Sequence, residues 1–138
     1  MMIDGPVSIG ELAKTASTKV VTIRYYERVG LLPPPPRTSG NYRAYDREHV
    51  LQLRFIRRCR DLGFTLDQIR DLLRMSSRKE QDCTDVDRLA AAHLASVESK
   101  IADLKRLAVE LRRLNTCCEG GGRIADCRII EALSHASN

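Results

Sequence analysis

Cysteine thiols are the side chains of this sequence best suited to bind a metal, and four of the five cysteines flank one long helical pattern. Cys83 precedes that pattern, whereas Cys117, Cys118 and Cys127 follow it. Thiolates are soft ligands that suit cadmium, lead, mercury and zinc and disfavour magnesium or manganese. Cys118 and Cys127 are joined by a glycine-rich loop that allows both to chelate one ion. These residue types and their spacing predict a site for a soft metal ion.

The helical pattern between the cysteines carries a coiled-coil seam. Its apolar positions alternate steps of four and three residues: Ala90, Leu94, Val97, Ile101, Leu104, Ala108 and Leu111. About 30 helical residues extend roughly 45 Å, so Cys83 is remote from the other three cysteines of its own chain. If two such helices pair antiparallel, Cys83 of one subunit meets Cys118 and Cys127 of the other, with Cys117 as a candidate fourth ligand. We therefore expect a homodimer with a shared metal site; a structural coiled coil with incidental cysteines is the alternative.

The excess of positive charge over negative charge lies entirely in the first half of the chain. Residues 1–76 hold 13 Lys and Arg against 8 Asp and Glu, whereas residues 77–138 hold 10 of each. All four tyrosines fall between Tyr25 and Tyr45. A basic half with interleaved tyrosines is typical of nucleic-acid binding, although a solvated basic surface is the alternative.

The sequence shows no sign of export or membrane insertion. The start of the chain lacks the basic and apolar regions of a signal peptide, and no apolar run approaches the ~20 residues of a membrane span. We therefore expect a cytoplasmic protein with no membrane partner. Thiols stay reduced in that compartment, so the cysteines are not interpreted as a disulfide framework.

Two short helical patterns near the start predict a helix-turn-helix. A capping box at Ser8–Glu11 opens the first, and Ser17 and Thr18 are expected to cap the second, which runs from Lys19 to about Arg28. The second helix carries the side chains that we expect to contact DNA: Lys19, Thr22, Arg24, Tyr25 and Tyr26.

A small β-wing is predicted after this motif. Residues 33–36 are four prolines, which form a stiff extended connector rather than a helix. The turn signal Gly40-Asn41 then separates two short extended pieces. Arg37, Tyr42 and Arg43 lie there and are expected to contact DNA phosphates.

Two further helices complete the predicted DNA-binding domain, with Asp46 and Thr65 as their caps. Cys59 lies in the first of them and is interpreted as a small buried residue. The core residues expected from this helix are Val50, Leu51, Leu53, Phe55 and Ile56.

The sequence therefore predicts a mainly α protein in three parts. Residues 1–76 form a winged helix-turn-helix DNA-binding domain. Residues 77–116 form a linker and a long antiparallel dimerisation coiled coil. Residues 117–138 form a metal-binding loop and a short C-terminal helix.

Five motifs, in this order, closely resemble the MerR family of metal-responsive transcriptional regulators: Ile9-Gly10-Glu11-Leu12-Ala13, Thr22-Ile23-Arg24-Tyr25-Tyr26-Glu27, Gly30-Leu31-Leu32, Gly40-Asn41-Tyr42-Arg43-Ala44-Tyr45 and Leu62-Gly63-Phe64-Thr65-Leu66. The resemblance implies a dimer of winged-helix domains joined by an antiparallel coiled coil. It also implies a dimer bound to double-stranded promoter DNA, which is distorted to permit transcription by RNA polymerase.

The C-terminal half resembles the ZntR/CadR/PbrR-like branch of that family. Cys83 stands where divalent-ion sensors keep a cysteine that copper(I) sensors lack, and Cys118 and Cys127 match the two loop cysteines. The zinc sensors of the branch also carry a loop histidine, which residues 119–126 lack. This difference favours cadmium or lead as the inducer, followed by mercury and zinc.

The expected function is metal-responsive activation of heavy-metal resistance and efflux genes. A thiol-based redox regulator of the same fold is the alternative. An enzyme is not expected, because the sequence shows no nucleophile–base pair or phosphate-binding loop.

Overall fold

The computed structural model of the protein describes residues 5–37, 40, 44–116 and 121–135, and the named elements within these ranges are all helices. The mainly α fold predicted from the sequence is therefore confirmed. None of the described helices combines the length and the apolar character needed to cross a membrane.

The chain divides into two compact units, Met1–Asp87 and Arg88–Asn138. The helices described in the first unit are α1 (Ile9–Thr15), α2 (Val20–Arg28), α3 (Arg47–Asp61) and α4 (Leu66–Ser76). The long helix α5 (Thr84–Thr116) begins in the first unit and continues into the second, where a 3₁₀ turn (Ile124–Asp126) and α6 (Arg128–Ser134) follow.

The start of α2 differs from the prediction. Lys19 occupies the N-cap position and makes no capping hydrogen bond with its side chain. Ser17 instead adopts a left-handed φ of 51°, and the Thr18 hydroxyl donates to the carbonyl of Ala16. The predicted cap at Ser17-Thr18 is therefore wrong, because both residues build the tight turn between the helices.

The other predicted caps of the first unit are present. The Ser8 hydroxyl accepts from the backbone N–H of Glu11 at the start of α1. Asp46 caps α3, and Thr65 and Gln68 form the reciprocal bonds of a capping box at the start of α4. Each cap satisfies backbone N–H groups that lack partners within the helix, so the sequence determines where these helices begin.

The core of the first unit joins the first three helices to the segments around them. Leu12 of α1, Ile23 of α2 and Leu53 of α3 are almost completely buried. The full cluster of buried residues is Leu12, Ala16, Ile23, Leu32, Tyr45, Val50 and Leu53.

Two core predictions for α3 are wrong. Val50, Leu53 and Ile56 are buried as expected, but Leu51 is 42% exposed and Phe55 is 37% exposed. One side of a helix recurs every 3.6 residues, so the helix that buries the first three residues must turn the other two away from that core.

The connection between α2 and α3 contains the base of the predicted wing. At its far end, Tyr45 forms an antiparallel β-bridge with Val7, which precedes α1. The backbone N–H of Ala44 donates to the carbonyl of Pro36 across 3.0 Å, so the two ends of this connection lie side by side.

The long helix α5 has no buried residue in the described chain. The carboxylate of Asp82 accepts from the backbone N–H of Thr84, and the carbonyl of Cys83 accepts the first helical bond, from Asp87. The side chain of Asp82 therefore supplies a cap at the start of α5.

Candidate nucleic-acid interface and metal-binding residues

The turn before α2 holds that helix in a defined direction. The guanidinium of Arg57 in α3 donates to the carbonyl of Ser17, the residue with positive φ. Ile23 is fully buried in the core, so the opposite side of α2 faces solvent. Sequence reasoning did not find Arg57, because no local pattern links two residues that are 40 positions apart.

The predicted DNA-contacting residues of α2 differ in exposure. Lys19 and Arg24 are exposed, and Tyr25 is 40% exposed. Thr22 and Tyr26 are half-buried, and Tyr26 packs against the core. Tyr26 therefore has a structural contact as well as a place on the candidate interface.

Two surface clefts beside α2 are lined in part by arginine side chains. Ile9, Arg24, Glu27, Arg28 and Pro34 line one surface cleft of about 460 Å³. A second cleft, of about 340 Å³, is lined by Ser17, Thr18, Lys19, Thr22, Tyr26, Leu53, Arg57 and Arg60. Arg28, Arg57 and Arg60 thus add positive charge that the sequence analysis did not assign, and phosphate backbones favour such a surface.

The predicted wing contacts fall on both described and undescribed residues. Arg37 is exposed at the start of the wing. Tyr42 and Arg43 lie outside the described residues. The structure therefore places the base of the wing beside α2 and leaves the other two residues as predictions.

His49 has partners that the sequence analysis did not assign. Its ring Nδ1 lies 3.2 Å from the backbone N of Asp46 and 2.9 Å from the Asp46 carboxylate, and its Nε2 lies 3.2 Å from the carbonyl of Pro33. The spacing Asp46-x-x-His49 is that of a capping box, with histidine in place of the usual Glu or Gln. This spacing was the signal available in the sequence.

Cys83 is exposed and directly precedes α5. It contributes to the lining of a small cleft of about 140 Å³ together with Met75, Arg78, Asp82 and Val86. Hydrogen bonds from the side chain and the backbone N–H of Thr84 lower the pKa of the Asp82 carboxyl. Cys83 therefore lies next to a carboxylate that is ionised at neutral pH, in a position that solvent ions can reach.

Cys127 directly precedes α6, just as Cys83 directly precedes α5. It is half-buried, it follows the 3₁₀ turn, and its carbonyl accepts the first bond of α6 from Glu131. The neighbouring carboxylate of Asp126 pairs with Arg123 at 3.2 Å. Both side chains of this pair are exposed, as expected for a solvated ion pair at the surface.

Of the remaining cysteines, one lies in the core and two lie outside the described residues. Cys59 is buried in α3, and burial raises the pKa of its thiol, which agrees with its interpretation as a small core residue. Cys117 and Cys118 lie outside the described residues. Within the ranges that the structure describes, no three His, Cys, Asp or Glu side chains of one chain are grouped to hold a metal ion.

Two family models match the chain. The model described as MerR HTH family regulatory protein matches residues 7–76, and the one described as MerR, DNA binding matches residues 50–114. The first covers the helix-turn-helix, the wing and α3–α4, and the second continues along most of α5.

Characterised relatives resemble the chain over nearly its whole length. The HTH-type transcriptional regulator HmrR of Sinorhizobium medicae is 41% identical over 93% of this chain and 86% of its own. The mercuric resistance operon regulatory protein of Bacillus cereus is 42% identical, over 91% and 95%. The crystal structure of the transcription regulator PbrR691 from Ralstonia metallidurans CH34 in complex with lead(II) superimposes with a TM-score of 0.85 at 44% identity, covering 92% of this chain and 98% of that one.

Proposed function

This chain belongs to the MerR family of transcriptional regulators, and we propose that it activates heavy-metal resistance and efflux genes on binding a soft divalent metal ion. Proteins of this family bind DNA to regulate transcription and are not enzymes. Relatives named for mercury and lead support metal as the signal and favour it over the redox-responsive alternative. The observation that carries the proposal is the position of four cysteines at the two ends of α5.

The proposed ligands are Cys118 and Cys127 of one chain and Cys83 of the partner subunit, with Cys117 as a candidate fourth ligand. The donor set fits a soft ion because it consists of sulfur. The 33 residues of α5 extend about 50 Å at 1.5 Å per residue. An antiparallel partner is therefore needed to bring the thiols from the two ends together.

The exposed apolar seam of α5 also indicates a homodimer. Four seam residues of α5, namely Leu94, Ile101, Leu104 and Leu111, are between 46% and 64% exposed in the single chain. Burying the part of such a side chain that is still exposed contributes about 1–2 kcal/mol, roughly half the value for a fully exposed one. The homodimer is expected to act in the cytoplasm on double-stranded promoter DNA together with RNA polymerase.

The proposed DNA contacts are the exposed side of α2 and the wing, comprising Lys19, Thr22, Arg24, Tyr25, Tyr26, Arg37, Tyr42 and Arg43.

Arg24→Ala and Arg43→Ala are each expected to weaken operator binding with the fold intact, measured by fluorescence anisotropy. Each lost phosphate contact also lowers the dependence of affinity on salt by about one unit of logarithmic slope. Arg106→Ala is the matched control, because Arg106 lies on α5 and pairs with Asp103 at the surface. If both DNA-domain variants bind like wild type, the assignment is wrong.

Cadmium and lead are the proposed inducers, ahead of mercury and zinc, because the ligand set has sulfur and no loop histidine. A promoter–reporter series with the four metals tests this order. Purified protein titrated with cadmium should also develop the ultraviolet absorption of cadmium–thiolate bonds. A reporter that responds to zinc alone at low concentration would reverse the ranking.

A further inference from the structure

Tyr45 connects three parts of the first unit. Its side chain is fully buried, and its hydroxyl donates to the carboxylate of Glu27 in α2 across 2.6 Å. Its backbone exchanges two hydrogen bonds with Val7, of 2.8 and 3.0 Å. Its ring is nearly perpendicular to the ring of His49 in α3, at a centroid distance of 5.1 Å. One residue at the end of the wing is therefore fixed to α2, to α3 and to the segment before α1.

His49 holds the two ends of the wing together. It is 6% exposed, and its Nε2–H donates to the carbonyl of Pro33, where the segment that contains the wing (residues 33–46) begins. When the ring is neutral, its Nδ1 accepts from the backbone N–H of Asp46, where the segment ends. When the ring is protonated, Nδ1 donates to the Asp46 carboxylate instead. The two ends of residues 33–46 are thus joined in either state.

The chain that leads from α2 into the wing is also held along its length. The side chain of Arg70 in α4 donates to the carbonyl of Val29, and that of Gln52 in α3 donates to the carbonyl of Leu31. With the bond from His49 to Pro33, three alternate carbonyls are held by side chains of α3 and α4. Such a connection cannot swing freely about the end of α2.

We propose that Tyr45 and His49 are positioning residues for DNA binding, which hold the two ends of residues 33–46, and so the base of the wing, beside the recognition helix α2. Neither residue needs to touch DNA. Both act by reducing the conformations that the wing must lose on binding, because ordering a loose segment reduces affinity. The inference rests on the proposed wing contacts.

Two variants test the role with small changes. Tyr45→Phe removes only the hydroxyl that bonds Glu27. His49→Gln retains a side chain that can complete the capping box with Asp46 but is too short to reach Pro33 as well. Each is expected to weaken operator binding about fivefold, the order expected for the loss of one intramolecular hydrogen bond.

A double-mutant cycle separates positioning from general destabilisation. The second background carries Arg37→Ala with Arg43→Ala, which neutralises the wing. Residues that act through the wing lose most of their effect there, whereas a general structural defect weakens binding equally in both backgrounds. The matched control is Gln68→Ala, which removes a capping-box bond from α4 and should show no coupling to the wing.

The outcomes distinguish this inference from the proposed function. Coupling of Tyr45→Phe and His49→Gln to the wing background supports it. Equal losses in both backgrounds overturn it and leave the wing contacts intact. If neutralising the wing has no effect on binding, both the wing contacts and this inference are wrong. DNA binding through α2 is tested separately by Arg24→Ala.

Discussion

The carboxylate of Asp46 links a helix cap to the pH dependence of stability. Burial raises the pKa of this carboxyl, but bonds from the His49 side chain and from the backbone N–H groups of His49 and Glu48 outweigh that effect and lower the pKa. A carboxyl with a lowered pKa stabilises the fold at pH values above its unfolded pKa. That stabilisation is lost as the pH falls through the folded pKa.

Asp46→Asn should therefore make the free energy of unfolding depend less on pH under acidic conditions. Asparagine still caps the helix but has no charge to lose. Between about pH 5 and pH 3, the wild type should lose more stability than the variant, as read from urea denaturation midpoints. The difference should be modest, because the carboxyl is 55% exposed and solvent screens it. Parallel profiles for the two proteins would contradict this account of the cap.

Cys59 and Cys83 should react with thiol reagents at different rates. Burial raises the pKa of the Cys59 thiol, and only the thiolate is strongly nucleophilic, whereas Cys83 is exposed. Brief alkylation with iodoacetamide followed by peptide mass spectrometry should label Cys83 well before Cys59. The same experiment in denaturant is the control, since unfolding should remove the difference. Early labelling of Cys59 in the native protein would show that it is not a core residue.

At the level of single residues, sequence patterns predicted the environments of Cys59 and Cys83 better than they predicted long-range hydrogen bonds or the buried face of α3. The exposed Cys83 and the buried Cys59 agree with their interpretation. The bond between His49 and Pro33 was not predicted, because it joins residues 16 positions apart. Leu51 and Phe55 were assigned to the core, because a dense apolar run does not reveal the rotation of a helix about its axis.

The seam of α5 is an element whose exposed apolar side chains predict an oligomer. Leu104 is 64% exposed and lies near the centre of that seam. Leu104→Glu should shift the protein towards monomers in sedimentation equilibrium, because each dimer would bury two unpaired carboxylates. Ser99→Glu is the matched control, since position 99 is five residues away and about half a turn from Leu104 around the helix. A wild-type protein that remains a folded monomer at micromolar concentration would exclude the dimer and the shared metal site together.

Helices were the elements that the sequence predicted best. Their starts follow from side chains that cap them locally, as at Ser8, Asp46 and Thr65. The start of α2 was misassigned because Arg57 of α3 and the left-handed Ser17 impose the turn from outside the helix. Local chemistry is therefore sufficient where a terminus faces solvent, and insufficient where tertiary contacts shape the backbone.

At the scale of the whole molecule, the excess of positive charge and the cysteines proposed to bind metal lie in different parts of the chain. The excess of positive charge lies in residues 1–76, whereas four of the five cysteines lie in residues 77–138. The proposed metal response requires a signal to pass between these parts, and α5 is the element that extends from the first unit into the second. The sequence predicted this separation from composition, but the pairing of thiols from two chains depends on an assembly that no single-chain pattern encodes.

We infer that the regulator activates transcription by distorting promoter DNA, bending and untwisting it so that two separated recognition elements align for polymerase. Deforming DNA in this way costs on the order of a few kcal/mol. A ligand shifts such an equilibrium only by the difference in its affinity for the two states. Cys83 follows directly on the linker from the DNA-binding helices, so it is the proposed ligand best placed to couple metal binding to the orientation of that domain.

Cys83→Ser should consequently separate DNA binding from activation. Without metal, its affinity for the operator should stay close to that of wild type, because Cys83 lies outside the proposed DNA contacts. Metal-induced transcription should be lost, and Cys118→Ser and Cys127→Ser should behave in the same way.

Cys59→Ser is the matched thiol control and should retain induction, with Cys59→Ala as a second control if a buried hydroxyl reduces stability. In vitro transcription with cadmium, lead, mercury and zinc measures all of these proteins under the same conditions. Full activation of Cys83→Ser by these metals would exclude a site shared between subunits, because the remaining thiols would then be sufficient within one chain.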